Sequence, residues 1–277
     1  MATVIPFHNF GGDGSVIHFA HANAYPPACY RQFLAPFLAQ YHVEGMYHRP
    51  LWPGTEPADL QGDWQIIADD LIHFFEQRGW EQVIGIGHSL GAVATMYAAA
   101  KRPSLFRALV LIEPVFLPPQ ILQMAAAHPE QAFLMPMVQS ALRRRDRWPS
   151  RQAAFDRFRS KDVFASWSDD SLWDYVNYAL VEDGPELTLA FPREWEAQIY
   201  ATPPQAVWDT MPQITQPTLG IRAAQTDTIF PEAWQLWQKL QPQATFLKIE
   251  NAGHMLTMER PLPVAEAVLN WLKQLDA

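Results

Sequence analysis

The sequence predicts an α/β fold built on a mostly parallel central sheet, and two observations carry this prediction. Short apolar runs typical of strands alternate with longer segments of helical periodicity, which is the order of elements in a parallel sheet covered by helices. The pentapeptide Gly87-His88-Ser89-Leu90-Gly91 joins one such strand to one such helix through a sharp turn. The chain has 277 residues, of which 49% are hydrophobic, enough for a substantial core.

The short apolar runs predict strands, and the stretches between them predict helices. The strands are predicted at residues 3–7, 15–20, 42–47, 82–86, 108–112, 218–222 and 245–249. Helices with one apolar face are predicted at residues 28–40, 58–78, 90–102, 231–240 and 261–275. The first two strands flank Gly11-Gly12-Asp13-Gly14, a tight-turn composition, so we expect them to form an antiparallel hairpin.

The alternation of strands and helices stops between Pro114 and Pro217. Half of the 24 prolines and five of the 11 tryptophans lie there, and helices are predicted at 130–144 and 170–180. We therefore expect a helical cap at residues 114–213, inserted into a core domain formed by residues 1–113 and 214–277. Its aromatic and Met-rich composition suits the roof of an apolar pocket, although the same side chains would also serve as the insertion's own core.

The insertion contains a cluster of arginines that has two interpretations. The cluster consists of Arg143, Arg144, Arg145, Arg147, Arg151, Arg157 and Arg159. It would either bind an anionic group of a substrate or form a solvated surface. The arginines are spread around the predicted helix rather than along one stripe, which favours the solvated surface.

Composition excludes several classes of function. The excess of 29 acidic over 20 basic residues gives a net charge of −9, which argues against general affinity for nucleic acids or anionic membranes. The single cysteine, Cys29, excludes an internal disulfide, fits a reducing compartment and is interpreted as a small buried hydrophobe. The sequence shows no signal-peptide pattern and no apolar run of about 20 residues, so we expect a cytoplasmic protein without a membrane span.

Ser89 is the predicted nucleophile. A serine at a sharp strand-to-helix turn presents its hydroxyl at the edge of the sheet, and the flanking glycines avoid collisions with the neighbouring strand and helix. The N-terminus of the following helix favours negative charge that develops at the site. The alternative is that Ser89 only caps that helix.

His254 is the predicted base, because it follows a strand-like run in Asn251-Ala252-Gly253-His254 and lies where α/β sheets place functional residues. The acid that orients this histidine has two candidates. Asp227 and Glu113 each follow a predicted strand, so their position alone does not decide between them. The chain order Ser…Asp…His is the usual one for this architecture and favours Asp227, with Glu113 as the alternative acid.

The oxyanion of a tetrahedral intermediate needs hydrogen-bond donors. One is predicted to be the backbone N–H of Leu90, directly after the nucleophile. The second is expected in the loop after the first parallel strand, where Asn23 would donate through its backbone N–H. A role in stabilising the turn is an equal alternative for the Asn23 side chain.

These motifs, in this order, resemble the α/β-hydrolase superfamily over nearly the whole chain. The matching segments are His21-Ala22-Asn23, Gly87-His88-Ser89-Leu90-Gly91, Thr226-Asp227 and Gly253-His254. The resemblance implies the α/β-hydrolase fold, with a helical cap inserted after the sixth strand of the family pattern, and a site without cofactor or metal. The sequence offers one strand before Ser15 where the family often has two, so we expect the sheet to be one strand short.

The resemblance also implies hydrolysis of an ester or related bond through an acyl-enzyme. The apolar cap and the few charges near the motifs favour small or medium, largely apolar carboxylic esters as substrates. A carbon–carbon bond hydrolase of the same fold is one alternative. A non-catalytic small-molecule receptor that retains the triad is another, and the oligomeric state is not predicted.

Overall fold

The structure is a computed structural model that describes residues 4–275. The strands are β1 (Phe7–Gly11), β2 (Ser15–Ala20), β3 (Tyr41–Met46), β4 (Val83–His88), β5 (Phe106–Ile112), β6 (Arg147–Trp148), β7 (Leu180–Asp183), β8 (Glu186–Leu189), β9 (Thr218–Ala223) and β10 (Thr245–Ile249). The α-helices are α1 (Arg31–Leu34), α2 (Gln65–Arg78), α3 (Leu90–Lys101), α4 (Pro119–Ala127), α5 (Pro136–Leu142), α6 (Arg151–Arg159), α7 (Asp169–Tyr178), α8 (Arg193–Ala201), α9 (Val207–Thr210), α10 (Pro231–Leu240), α11 (Leu256–Glu259) and α12 (Pro261–Leu275). Short 3₁₀ helices lie at Pro27–Tyr30, Ala35–Ala39, Arg49–Leu51, Pro57–Asp59, Pro103–Leu105, Pro129–Leu134, Asp162–Phe164 and Met211–Gln213.

The central sheet has seven strands in the order β1-β3-β2-β4-β5-β9-β10. Every neighbouring pair is parallel except β1 with β3. This confirms the predicted mostly parallel sheet. The ends of β2, β4, β5, β9 and β10 point the same way, so the loops that follow them meet at one edge.

The predicted hairpin of the first two strands is wrong. β1 pairs antiparallel with β3, with Phe7 opposite Met46, while β2 lies on the other side of β3. The glycines between β1 and β2 explain the path, because Gly12 and Gly14 have φ values of +79° and +114°. A Cβ on Gly12 would lie 2.1 Å from the carbonyl oxygen of Tyr41, so the chain crosses tightly over the start of β3. Residue 3, which the predicted strand included, lies outside the described residues.

Both faces of the sheet are buried, and alternate residues of each strand serve the two faces. In β5, Ala108, Val110 and Ile112 belong to one buried apolar cluster, which also contains residues of α12. Leu109 and Leu111 belong to a second cluster, with residues of α2 and α3. This alternation fixes the register of the strands, because a slip of one residue would exchange the two faces.

Two predicted core helices are shorter in the structure. The segment 28–40 divides into two 3₁₀ helices flanking α1, because Pro36 has no N–H to donate within a longer helix. The segment 58–78 is α-helical only from Gln65 onward, since Gly62 takes a positive φ of 73° after the short 3₁₀ helix at Pro57–Asp59. The helices α10 and α12 have the predicted boundaries.

The segment at residues 114–213, which we call the cap segment, lies between β5 and β9. It contains α4 to α9 and also a three-stranded antiparallel sheet in the order β6-β8-β7, which the expected helical cap did not include. Gly184 has a positive φ of 64° at the turn between β7 and β8. Many of its aromatic side chains pack on one another, for example Phe155 stacked on Trp173 with ring centroids 4.4 Å apart. Its behaviour as a separate domain stays a prediction.

The arginines of the cap segment are not simply a solvated surface. Arg159 donates hydrogen bonds to the carbonyl oxygens of Phe164 and Trp167, at 2.9 and 3.0 Å. Arg151 donates to the carbonyl oxygens of Val176 and Leu180. These side chains therefore connect α6 to α7, to β7 and to the segment between α6 and α7.

Two expectations from composition can be compared with the structure. Cys29 is buried, as interpreted from the sequence, and burial raises the pKa of its thiol well above the usual value. Among residues 4–275, no helix is both long and apolar enough to cross a membrane.

Four histidines, His18, His21, His48 and His88, are fully buried. Burial is the main cause that lowers the pKa of His18 and His88 to about 3 and that of His48 to about 4. Burial also lowers the pKa of His21 well below its usual value. Each of these imidazoles is therefore neutral in the folded protein at mildly acid pH, where it would be protonated in the unfolded chain.

We expect the free energy of unfolding to decrease as the pH falls from about 6.5 toward 3, because the unfolded chain then binds more protons than the folded protein. Each buried histidine contributes up to about 1.4 kcal/mol per pH unit. Urea unfolding at pH 7.5 and pH 5.5 measures the effect. The free energy of unfolding of the His18→Gln variant should fall less between the two pH values than that of the wild type. That of the His73→Gln variant, at an exposed position of α2, should fall as much as that of the wild type. An equal decrease in the wild type and in His18→Gln would contradict the attribution of this pH dependence to the buried histidines.

Candidate active site

The turn from β4 to α3 has the geometry expected of a nucleophile elbow. Ser89 takes φ 56° and ψ −116°, a backbone conformation rare for a residue with a side chain, and its N–H donates to the carbonyl oxygen of Ile112 at 3.0 Å. A Cβ on Gly87 would lie 2.5 Å from the carbonyl oxygen of Gly91, and one on Gly91 would lie 2.0 Å from that of Ala20. Both glycines are therefore required by close backbone approach.

His254 lies next to Ser89, with its Nε2 atom 3.0 Å from Ser89 Oγ. The loop after β10 holds this histidine. Asn251 opens the loop with a positive φ of 55°, and the N–H of Gly253 donates to Glu259 Oε2 at 2.9 Å. The structure thus brings together the predicted nucleophile and the predicted base.

Glu113, the alternative acid, occupies the place expected for Asp227. Its Oε2 atom lies 3.0 Å from His254 Nδ1, and its side chain is fully buried. Asp227 is exposed, and its carboxylate accepts a hydrogen bond from the hydroxyl of Thr228 at 3.3 Å. The expected arrangement with Asp227 against the histidine is therefore corrected to one with Glu113.

The loop after β9, which was expected to deliver the acid, instead supports Glu113. The N–H of Ala223 donates to Glu113 Oε1 at 2.7 Å, and the hydroxyl of Thr226 donates to Oε2. Glu113 itself has a positive φ of 46°, and its N–H donates to the carbonyl oxygen of Ile221 at 2.9 Å. These contacts place the carboxylate under His254 and direct the next residue of the loop, Asp227, toward solvent.

Ser89, His254 and Glu113 form a trio, and the hydrogen bonds between them define which atoms carry the protons. A carboxylate oxygen only accepts, so His254 Nδ1 carries the proton donated to Glu113. In the neutral ring, His254 Nε2 is then an acceptor, and the hydroxyl of Ser89 donates to it. This is the tautomer a serine nucleophile needs in order to transfer its proton.

Asn23 lies in the loop after β2, and Leu90 directly follows Ser89, which are the two places expected to supply the oxyanion donors. Ala20 pairs with Gly87 at the ends of β2 and β4, so the loop that carries Asn23 adjoins the elbow. Leu90 is the first residue of α3, and the first N–H groups of a helix have no acceptor within it. The side-chain amide of Asn23 is turned to the cap segment, where Nδ2 donates to the carbonyl oxygen of Glu196 at 3.2 Å.

The cap segment covers the elbow with apolar and polar groups. Leu90 shares one buried apolar cluster with Trp195 and Ile199 of α8. Next to them, Glu196 accepts from Arg144 Nη1 at 2.6 Å, and Arg144 also donates to the hydroxyl of Tyr175. The carboxylate of Glu196 and the guanidinium of Arg144 are therefore already paired with each other.

Sequence reasoning missed the supporting residues. Thr226, Tyr30 and His88 make hydrogen bonds to the trio or its loops. His88 and Thr226 each lie in a motif that the sequence offered, whereas Tyr30 had no signal. Within residues 4–275, no group of three His, Cys, Asp or Glu side chains is arranged as a metal-ligand set.

Comparison with known proteins agrees with this architecture. The chain is 27% identical over 227 residues to the putative carbamate hydrolase RutD of Pseudomonas savastanoi, covering 79% of each protein. It is 24% identical over 227 residues to ethanol acetyltransferase 1 of Hanseniaspora uvarum, covering 76% of this chain and 65% of the relative. The crystal structure of E-2-(acetamidomethylene)succinate hydrolase matches with a TM-score of 0.80 at 16% identity, covering 97% of this chain and 95% of that one.

The family model of the alpha/beta hydrolase family matches residues 19–267, which include the loop of Asn23, the elbow and the histidine loop. The named relatives are a hydrolase and an acyltransferase, at low identity. The chain belongs to the alpha/beta hydrolase family and is hydrolase- or acyltransferase-like within it.

Proposed function

We propose that this protein is a serine hydrolase that cleaves carboxylic esters through an acyl-enzyme, with Ser89 as nucleophile, His254 as base and Glu113 as the orienting acid. The observation that carries the proposal is the pair of 3.0 Å contacts that His254 makes, from Nε2 to Ser89 Oγ and from Nδ1 to Glu113 Oε2. A helix cap alone would not require a histidine and a buried carboxylate in line behind the serine hydroxyl.

In the proposed reaction, His254 Nε2 takes the proton of Ser89 as Oγ attacks the substrate carbonyl. The imidazolium formed in this step is stabilised by the carboxylate of Glu113. Protonated His254 then donates to the leaving alcohol, and the neutral imidazole activates water that hydrolyses the acyl-enzyme. One histidine thus serves as base and acid in each half of the reaction.

The oxyanion is stabilised in this proposal by the backbone N–H groups of Asn23 and Leu90. Each such donor contributes on the order of 10²–10³ to the rate in serine hydrolases. The donation of the Asn23 side chain to Glu196 supports the backbone role, because it holds the amide against the carbonyl oxygen of a residue in the cap segment.

The apolar surroundings of Leu90 support a small or medium, largely apolar acyl group. Trp195 and Ile199 share its buried cluster, and Ser89 itself is only 6% exposed. Arg144 is paired with Glu196, so a substrate carboxylate would have to displace an existing ion pair in order to reach it. An uncharged ester fits these surroundings better than an anion.

We expect p-nitrophenyl acetate and butyrate to be turned over many times, with kcat/KM falling for the octanoate because Ser89 is only 6% exposed. A fluorophosphonate should label Ser89 covalently, and Ser89→Ala should abolish both labelling and turnover. If the ester is turned over only once, the alternative of a non-catalytic small-molecule receptor is favoured. If the protein cleaves a vinylogous diketone but no ester, the alternative of a carbon–carbon bond hydrolase is favoured. Folded wild-type protein that neither labels nor turns over any ester contradicts the proposal.

Glu113→Gln should lower kcat by on the order of 10²–10⁴. With its Oε1 still accepting from Ala223, the glutamine NH₂ faces His254 Nδ1 and stabilises the tautomer that cannot accept the proton of Ser89. Asp227→Asn, at an exposed position, is the matched control and should retain the wild-type kcat. Steady-state kinetics of the two variants decide between the two acids. A large loss of kcat in Asp227→Asn with little loss in Glu113→Gln would show that Asp227 is the orienting acid.

A further inference from the structure

A chain of hydrogen bonds runs behind the site and uses residues outside the trio. Both ring nitrogens of His88 are bonded: Nε2 lies 2.9 Å from the carbonyl oxygen of His254, and Nδ1 lies 2.9 Å from the hydroxyl of Tyr30. The same hydroxyl lies 3.2 Å from the backbone nitrogen of Ala22. Tyr30 and His88 are both fully buried, so water does not compete for these contacts.

The direction of every hydrogen bond in this chain is determined. The carbonyl oxygen of His254 only accepts, so His88 Nε2 carries the ring proton. Nδ1 of the neutral ring then accepts, which means that the hydroxyl of Tyr30 donates to it. The oxygen of Tyr30 is left to accept from the N–H of Ala22.

Burial lowers the pKa of His88 to about 3, with a smaller contribution from His254. The ring therefore stays neutral at the pH at which a serine hydrolase works. No second assignment satisfies all three contacts, so every donor in this chain has one acceptor.

The connection joins the three parts of the proposed machinery. Ala22 precedes Asn23, the proposed oxyanion donor, and His88 precedes the nucleophile. The other end of the chain is the backbone of His254, the proposed base. Two loops from different strand ends, after β2 and after β10, are thus tied to the residue next to Ser89.

We propose that Tyr30 and His88 are positioning residues, which hold the oxyanion loop and the loop of His254 in fixed relation to Ser89. The proposal rests on the proposed function and adds to it two residues whose hydrogen bonds run to one another and to the backbone of the two loops. The ring of His88 also packs near that of His254, with ring centroids 5.2 Å apart. Small displacements of reacting groups cost large factors in rate, so a connection of this kind acts on the chemical step rather than on substrate binding.

The test compares variants of the whole protein. Tyr30→Phe removes one hydroxyl, and His88→Leu removes both ring nitrogens. His88→Gln is the conservative variant, because its amide can donate to the carbonyl oxygen of His254 and accept from Tyr30. Tyr97→Phe is the matched control: Tyr97 is as deeply buried, and its hydroxyl donates to Asp63 at 3.2 Å in a different part of the core.

We expect Tyr30→Phe and His88→Leu each to lower kcat for p-nitrophenyl acetate by roughly 10- to 100-fold with KM within a factor of about two. His88→Gln and Tyr97→Phe should keep most of the wild-type kcat. Because the two residues act as one chain, the double variant Tyr30→Phe/His88→Leu should lose little more than the worse single variant. Additive losses, or a loss in Tyr97→Phe equal to that in Tyr30→Phe, would overturn the proposal.

Amide hydrogen exchange tests the connection without activity. Tyr30→Phe should speed exchange in both residues 21–25 and residues 251–255, and Tyr97→Phe should speed it in neither. Unchanged exchange in the second loop would overturn the proposal even in an active enzyme. If the wild-type protein is inactive but Tyr30→Phe still speeds exchange in both loops, the proposed function is overturned and the connection between the loops stands.

Discussion

The contact of His254 with both Ser89 and Glu113 is the constraint on which the site depends. It requires three strand ends, after β4, β5 and β10, to meet at one edge within the reach of single side chains. The parallel sheet supplies this meeting point, because its strands end on the same side. The rest of the fold sets the spacing: the two apolar faces fix the register of β4 and β5, and so the height of Ser89 relative to Glu113.

The site holds backbone conformations that are costly in isolation. Ala24, Ser89, Glu113 and Asn251 all have positive φ values, and each lies in or at the start of a loop of the site. Such conformations persist where the surroundings determine them, and hydrogen bonds to neighbouring strands do so here. Ser89 and Glu113 each donate a backbone N–H to the carbonyl of an adjacent strand, Ile112 and Ile221 respectively.

Much of this arrangement is readable from the sequence because it is local. The elbow is a contiguous pentapeptide, and His254 follows directly on a strand, so their positions depend on few distant contacts. The acid is different, since Asp227 and Glu113 both follow strands. Only Thr226 and the N–H of Ala223, which fold back onto Glu113, decide between them.

The features of the fold that were predicted wrongly or missed depend in part on distant contacts as well. The partner of β1 is chosen by the crossing over β3 at Gly12, which no local turn pattern reveals. The β7–β8 hairpin did have a local signal, because Asp183-Gly184 lies between short runs of strand-forming residues.

A crystal structure of the protein after reaction with a phosphonate ester tests the central claim most directly. We predict phosphorus bonded to Ser89 Oγ, one phosphonyl oxygen within hydrogen-bond distance of the N–H groups of Asn23 and Leu90, and His254 Nδ1 still bonded to Glu113. An adduct in which His254 turns away from Glu113 toward another carboxylate, or in which phosphorus is found elsewhere than on Ser89, would contradict the account.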